Sequence, residues 1–383
     1  MANKIIGRTD TSGAVSLGSI TSNSKRPILL IGQGVDEKKE VIFKINGTKD
    51  AIAHFGETSP FVEIVKALVL NGVKVLEGMN IGTVGTSVAG TDEEFGDGDT
   101  PSPGTPAVTY DYPTVDKAYA AAYEKSLVDK EIMIIILDTD SADARKDLAV
   151  HLKTAENADI YRYAVVGVPK TITDIEDVQD IVTRINSDRI FVPFPNLLNT
   201  DGELLDGTFT AAALAAVLNT QTDDPALPTN SIAVTGFGGV STQLLESDLK
   251  TMADSGICAL FNEDGVATTW QNVTTAQKEK GDFSIWHDAT TRLIADNVLA
   301  TVLAKLKANY RRTKNIVRVL DSIRGDIIAI LENKLALEII EEFDEELCTV
   351  VKDPEDRYGA LADFEYKVVS PLYTITVTQH IKI

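Results

Sequence analysis

Basic residues are scarce in this chain. Over 383 residues, 36 Lys and Arg stand against 57 Asp and Glu, a formal net charge of −21. A bulk charge of that sign repels polyanions, so no direct contact with nucleic acid or with anionic membranes is expected of the chain as a whole. Cysteine is nearly missing. Cys258 and Cys348 lie far apart in sequence, which fits buried thiols in a reducing compartment better than a disulfide framework. Nowhere do about 18 apolar residues run together, so no membrane insertion is expected. The opening Met-Ala-Asn-Lys-Ile-Ile-Gly-Arg-Thr-Asp has no apolar core followed by a small-residue cleavage site, and no signal peptide is expected. The histidines His54, His151, His287 and His380 are isolated, and none belongs to an H-E-x-x-H motif. No Gly-x-Ser-x-Gly elbow occurs. The chain is therefore read as a non-enzyme that needs no cofactor or metal, and its role is sought in its architecture.

What is present is apolar patterning. Apolar residues make up 44% and charged residues 24%, ordinary for a soluble globular protein, and the length suffices for two or three domains. Residues 1–25 are polar, with scattered Gly, Ser and Thr, and read as an extended arm. Residues 26–110 form an N-terminal α/β part. It opens with a buried strand at Pro27 to Gly34, adds a second at Val41 to Ile45, and continues with a helix from Thr48 or Asp50 through His54. The 3.6-residue apolar spacing from Pro60 to Leu70 predicts another helix, stopped by Asn71-Gly72, with a strand at Val73 to Leu76. Gly, Thr, Asp and Pro dominate 82–106, which reads as an exposed loop. Residues 111–265 alternate strands (131–138, 162–168, 189–193, 231–235) with helices (112–127, 141–155, 174–186, 210–218, 241–254). Continuous apolar strands spaced by helices argue for a largely parallel, helix-covered sheet. Residues 266–383 change pattern, with two long helices, Asp288 to Arg312 and Asp321 to Leu347, followed by strands at 361–369 and 372–383. The fold class is thus an α/β core plus an α+β C-terminal domain, with extended N- and C-terminal β-arms.

The last stretch alternates from Tyr373 (Tyr373, Ile375 and Val377 against Thr374, Thr376 and Thr378) and is rich in β-branched types. A free terminal strand must pair within its own domain or add to a neighbour's sheet edge. Ala14 to Ile20 offers a weaker segment of the same kind. Two strand-like arms point to a subunit built to link into an assembly.

Three local features are candidates for chemistry. Asp138, Asp140 and Asp143 follow a buried strand, where α/β folds place ligands, and their oxygens suit a divalent cation. Ser141 or Asp140 capping the next helix, with the remaining carboxylates solvated, explains the same residues. Gly236-Phe-Gly-Gly239 lies between strand and helix like a phosphate loop, but lacks both the G-x-G-x-x-G spacing and a Lys-Ser/Thr ending, so a tight turn with Ser241 or Thr242 as cap is expected instead. From Lys305 to Arg318 there are six basic residues and no acidic one: Lys305, Lys307, Arg311, Arg312, Lys314 and Arg318. Lys307, Arg311, Lys314 and Arg318 share one face if the helix is continuous. That face is solvated, or paired with acids such as Glu341, Glu342, Glu345 and Glu346, or a docking site for an acidic partner.

Several segments, taken in order, resemble the tail sheath proteins of contractile-tailed phages and related contractile injection systems. They are Phe191-Val-Pro-Phe-Pro-Asn196, the small-residue helix from Phe209 to Leu218, the Pro-rich Asp223 to Asn230, and Leu249 to Leu260 with its Gly-Ile turn. The two long helices, Gly359-Ala-Leu361 and the final alternating strand complete the likeness, which runs from about Tyr110 to Ile383. The resemblance implies a mechanical subunit that stacks as rings around an inner tube, linked by terminal arms that add strands to neighbours, and that contracts to drive the tube through a target envelope. It implies partners: further copies of the chain, the inner tail tube protein, and baseplate and tail terminator proteins. It implies a place in a virion tail assembled in the host cytoplasm. On it, Val15, Leu17 and Ile20 anchor one arm and Tyr373, Ile375, Val377, Ile381 and Ile383 the other, while Lys307, Arg311, Lys314 and Arg318 face the tube. The other classes kept open are an α/β phosphotransferase or hydrolase with a metal at Asp138 and Asp140, and a non-contractile structural virion protein.

Overall fold

The computed structural model describes residues 27–35, 39–85, 110–220, 224–277 and 284–372. The arm residues Val15, Leu17, Ile20, Tyr373, Ile375, Val377, Ile381 and Ile383, and most of the 82–106 loop, lie outside the described residues.

The described residues open on strand β1 (Ile28–Gly32), whose five residues Ile-Leu-Leu-Ile-Gly are all buried. A strand apolar on both faces needs neighbours on both sides and helices above and below, so it belongs at the centre of a sheet. There follow β2 (Ile42–Ile45), α1 (Thr48–Phe55), α2 (Pro60–Leu70), β3 (Leu76–Asn80), α3 (Val115–Ser126), β4 (Ile134–Leu137), α4 (Ala142–Asn157), β5 (Tyr163–Val165), α5 (Ile175–Ile185) and β6 (Ile190–Phe191). These six strands form one sheet in the order β2-β3-β1-β4-β5-β6. All pairs are parallel except the edge pair β2 with β3. One sheet thus draws on both the 26–110 and the 111–265 segments.

The period-two alternation of each strand sorts the core into two layers. Ile28, Leu30, Ile134 and Ile136 face a layer with α1, α2 and the later helix α6 (Gly207–Thr220). Leu29, Ile31, Ile135 and Leu137 face the layer of α3, α4 and α5. Helix α6 is buried on every side from Ala211 to Leu218. Its alanines let it lie close to the sheet, and Gly207 lets its first turn touch the chain, since a Cβ there would sit 2.0 Å from the Val168 carbonyl oxygen. Before it come the short strands β7 (Pro193–Phe194) and β8 (Leu197–Leu198). Asn196, between them, donates to the Val168 carbonyl at 2.9 Å and accepts from Thr210 of α6 at 3.3 Å, fixing the Pro-containing loop to the core.

Next are β9 (Gly239–Val240), α7 (Glu246–Asp254), β10 (Cys258–Glu263) and β11 (Val266–Gln271). The last two form an antiparallel hairpin that joins β7 in a second sheet, so residues 266–271 belong to the core and the C-terminal helices begin after them. Helix α8 (Ala289–Tyr310) starts at Asp288, whose carboxylate caps the N–H groups of Thr290 (2.7 Å) and Thr291 (3.2 Å). Helix α9 (Val317–Ala336) packs back against it, with Lys334 reaching Asn297 and Tyr310 reaching Asp326, the crossing pattern of an antiparallel pair. Strands β12 (Ile340–Phe343), β13 (Thr349–Lys352), β14 (Ala360–Asp363) and β15 (Tyr366–Val368) pair as β12-β15 and β13-β14, and a third core cluster fills the space beneath them.

Three expectations need correction. The second long helix stops at Ala336 rather than Leu347, because Glu338 takes a left-handed conformation (φ 56) and the chain turns into β12. The strand expected at 231–235 is reduced to a bridge from Ala233 to Thr268, because Ser231 has φ 55 and breaks the extended run. Neither Ser241 nor Thr242 caps α7. The helix starts five residues later, where Asp248 accepts from the Leu245 N–H at 3.2 Å.

Candidate assembly surface and the charged core behind it

Lys307 sits half-buried in the last turn of α8, Arg311 and Lys314 lie in the connection between the helices, and Arg318 is in the first turn of α9. The continuous helix that would align all four on one face does not exist. Arg311 still has helical backbone (φ −58, ψ −25), but Ile316 is extended (φ −128, ψ 154). Thr313 donates to the Tyr310 carbonyl at 3.0 Å, and Asn315 donates to the Gly359 carbonyl at 2.8 Å, which ties the turn to the β13-β14 hairpin. The basic residues therefore gather around a bend.

Among the described residues, Lys305, Lys307, Arg312, Lys314 and Arg318 make no ion pair. Of the acids considered as their partners, Glu341 holds Lys367 at 2.8 Å. The acids of the nearby turn serve that turn. Asp353 accepts from the N–H groups of Glu355 (2.8 Å) and Asp356 (3.2 Å), and Asp356 from that of Tyr358 (2.9 Å). Helix α9 has no acid in its first turn, so Arg318 opposes the helix dipole at a small cost in stability. Exposed Ile316, Val317 and Tyr358 lie at the same bend, and an apolar patch with a basic rim is a surface suited to a partner.

The carboxylates after β4 are arranged differently. Burial, then the charges of Asp206 and Asp140, pushes the Asp138 pKa up to about 6. Asp140 is taken by Arg145 at 3.1 Å, and Ser141 caps α4 by accepting from the Ala144 N–H at 3.2 Å. No group of three His, Cys, Asp or Glu placed to hold a metal occurs among the described residues. Gly236-Phe-Gly-Gly239 packs against backbone: a Cβ on Gly238 would lie 2.2 Å from the Asn199 carbonyl oxygen, and the Gly238 N–H donates to Leu198 at 2.9 Å. The Gly238 amide is thus spent on β8.

The most connected polar cluster was not singled out from sequence. Arg189, 1% exposed, forks onto Asp296 of α8 at 2.7 and 3.0 Å and reaches Glu156 of α4 at 2.9 Å. Arg292 of α8 contacts Asp188 (2.9 Å), Glu156 (2.7 Å) and Asp296 (2.9 Å). Tyr163 of β5 also donates to Asp296, and Lys153 holds the outer oxygen of Glu156. The Arg189 guanidinium lies 5.6 Å from the Tyr163 ring centre and that of Arg292 lies 4.9 Å from the Trp286 ring centre. Burial alone would lower the pKa of Arg189; Asp296, Tyr163 and Glu156 outweigh it and raise it. The available signal was charge in apolar places: Arg189 opens a buried strand, and Arg292 and Asp296 stand four apart among the buried positions of α8.

No curated protein matches the chain by sequence. Residues 283–382 match the family model described as the phage tail sheath C-terminal domain. A sheath tail protein from Desulfitobacterium hafniense is similar with a TM-score of 0.64 at 10% identity, over 93% of this chain and 100% of its own. A chain of the anti-feeding prophage baseplate gives 0.68 at 12% identity, over 100% of both chains. The helical sheath of the anti-feeding prophage in its contracted state gives 0.65 at 14% identity, over 99% of this chain and 98% of its own. Residues 283–382 are thus similar to the phage tail sheath C-terminal domain, and the chain that carries them has the fold of the sheath proteins it matches.

Proposed function

We propose that this chain is a structural subunit of a contractile tail sheath, in a phage tail or a related injection system. The observation that carries the reading is the coincidence of a sheath C-terminal domain with sheath fold similarity along the whole chain. The subunit polymerises with its own copies as stacked rings and meets a baseplate, as its fold relatives come from a helical sheath and a baseplate. The finer partners belong to the same proposal: an inner tail tube protein within the rings and a terminator at the end of the tail. Residues 1–25 and 372–383 act as arms that add strands to neighbours, anchored by Val15, Leu17 and Ile20 and by Tyr373, Ile375, Val377, Ile381 and Ile383.

The physics is that of a two-state lattice. Main-chain pairing between arms and neighbours keeps subunits tethered while the folded bodies slide. The driving energy is a difference in contacts between an extended and a contracted lattice, so the chain needs no nucleotide site of its own. The basic bend at Lys307, Arg311, Lys314 and Arg318 is the proposed tube contact, electrostatic and therefore able to hold one state and release in the other.

Electron microscopy of the concentrated full chain tests the proposal. Hollow, striated tubes of uniform wide diameter are expected, and a chain ending at Leu372 should stay folded yet form none. Compact dispersed particles from the full chain would overturn the sheath reading, and normal tubes from the shortened chain would overturn the role of the C-terminal arm.

A further inference from the structure

The charged cluster around Asp296 joins two parts of the molecule. Lys153, Glu156, Asp188 and Arg189 come from the sheet-bearing core, whereas Arg292 and Asp296 come from α8, the first helix of the C-terminal domain. Three cations face three anions, so the group is electrically balanced. Its inner members are nearly or fully buried: Arg189 is 1% exposed, Arg292 2% and Asp296 5%.

Stability alone does not account for this arrangement. Burying ions costs desolvation, and apolar residues of similar volume usually hold an interface at least as well. The Nε donors of Arg189 and Arg292 are buried without a hydrogen-bond partner, a further cost. What a guanidinium fork adds is direction. Arg189 meets Asp296 through two parallel bonds, and Arg292 divides its nitrogens among Asp188, Glu156 and Asp296. An apolar contact tolerates sliding or rotation of α8, whereas this set of bonds is satisfied in one orientation.

Helix α8 leads from this cluster to the basic bend. From Asp296 to Arg311 is about 22 Å at the rise of an α-helix, so a tilt of about 10° at the cluster would displace the bend by about 4 Å. We infer that the cluster is an orientation lock: it fixes the angle of α8 on the core and thereby aims the bend and the C-terminal strands, at the expense of stability rather than for it. Use of that aim in a sheath lattice rests on the function proposed above, but the lock itself is a property of the single chain.

The test measures the angle directly and needs no polymer. Spin labels on Arg184→Cys in α5 and Glu332→Cys in α9 of the full chain, diluted into unlabelled chain, report the distance between core and C-terminal domain. The native Cys258 and Cys348 are buried. A single narrow distance population is expected. In the apolar variant carrying Glu156→Leu, Arg189→Met, Arg292→Met and Asp296→Leu, the melting temperature should be no lower, while the distribution broadens about twofold or splits. A folded apolar variant with an unchanged narrow distribution overturns the inference. So does a folded apolar variant whose melting temperature falls without broadening, since the cluster would then serve stability alone. Should the apolar variant fail to fold, Arg292→Lys, which keeps the charge and loses the fork, is measured instead: broadening supports the lock, and an unchanged distribution overturns it. Tube formation enters none of these readings, so failure of the sheath proposal and failure of the lock are separate results.

Discussion

Glu77 shows how one side chain sets a pH dependence. It is 6% exposed on β3, opposite Lys44 of β2, and its Oε2 has no hydrogen-bond partner. Burial, and after it the charge of Asp129, raises its pKa from 4.5 to about 7. The folded chain therefore holds this proton more tightly than the unfolded chain. Its contribution to stability is complete below pH 4.5 and is lost as pH rises to about 7. Glu77→Gln is expected to stabilise the protein at about pH 8 by roughly 1–3 kcal/mol and to flatten the slope across that window. Denaturant midpoints across the window measure this; an unchanged slope would show that Glu77 is solvated or paired. Asp111 has the opposite sign. Its hydrogen bond from Lys39, and then that from the Thr83 N–H, hold its pKa down to about 2, so what it contributes persists until strong acid. His151, buried beside Arg162, has its pKa lowered to about 3 and stays neutral in the fold.

At the scale of elements, two glycines make opposite predictions. Gly325 lies inside α9, and a Cβ there would meet nothing within 4 Å. Gly325→Ala should stabilise the chain by about 0.5–1 kcal/mol through helix propensity. Gly207 begins α6 against the Val168 backbone, and Gly207→Ala must push helix and loop apart at a cost of roughly 1–3 kcal/mol or more. Chemical denaturation of the two variants side by side measures the contrast, and equal effects would mean that α6 does not dock as described. Elements were legible in the sequence where pattern and punctuation agreed. Ile28 to Gly32 and Ile134 to Leu137 are continuous apolar runs that only a central parallel strand accommodates. Helix α2 carries Ser59 and Pro60 at its start and Asn71-Gly72 at its end. The end of α9 was not legible, because Ile339 and Ile340 prolong the helical period past a stop made by a glutamate in a left-handed conformation. That two long helices follow one another was legible, but where the bend between them falls was not, because nothing between Tyr310 and Val317 is glycine or proline. The Asp296 cluster stayed hidden because its bonded partners are up to 136 residues apart and only the folded chain brings them together.

The whole molecule combines a strong negative bulk with one basic bend, so the two kinds of contact proposed for it should answer salt in opposite ways. Copies carrying −21 each repel one another, and added salt should ease their polymerisation. A tube held by Lys307, Arg311, Lys314 and Arg318 should be released by the same salt. Co-sedimentation with the tube protein at about 0.05 and about 0.5 M NaCl checks both, and Lys314→Glu with Arg318→Glu should abolish tube binding while leaving self-association intact. Tube binding that survives both substitutions would move the contact to another surface. The strand order of the main sheet also bears on how such a chain is made. The central strand β1 emerges from the ribosome first, and β3, β4, β5 and β6 each then find a neighbour already synthesised. The sheet can grow outward from its middle during translation, without waiting for a distant partner. Arg292 and Asp296 arrive after the last of these strands, so the C-terminal domain docks onto a surface that is already complete.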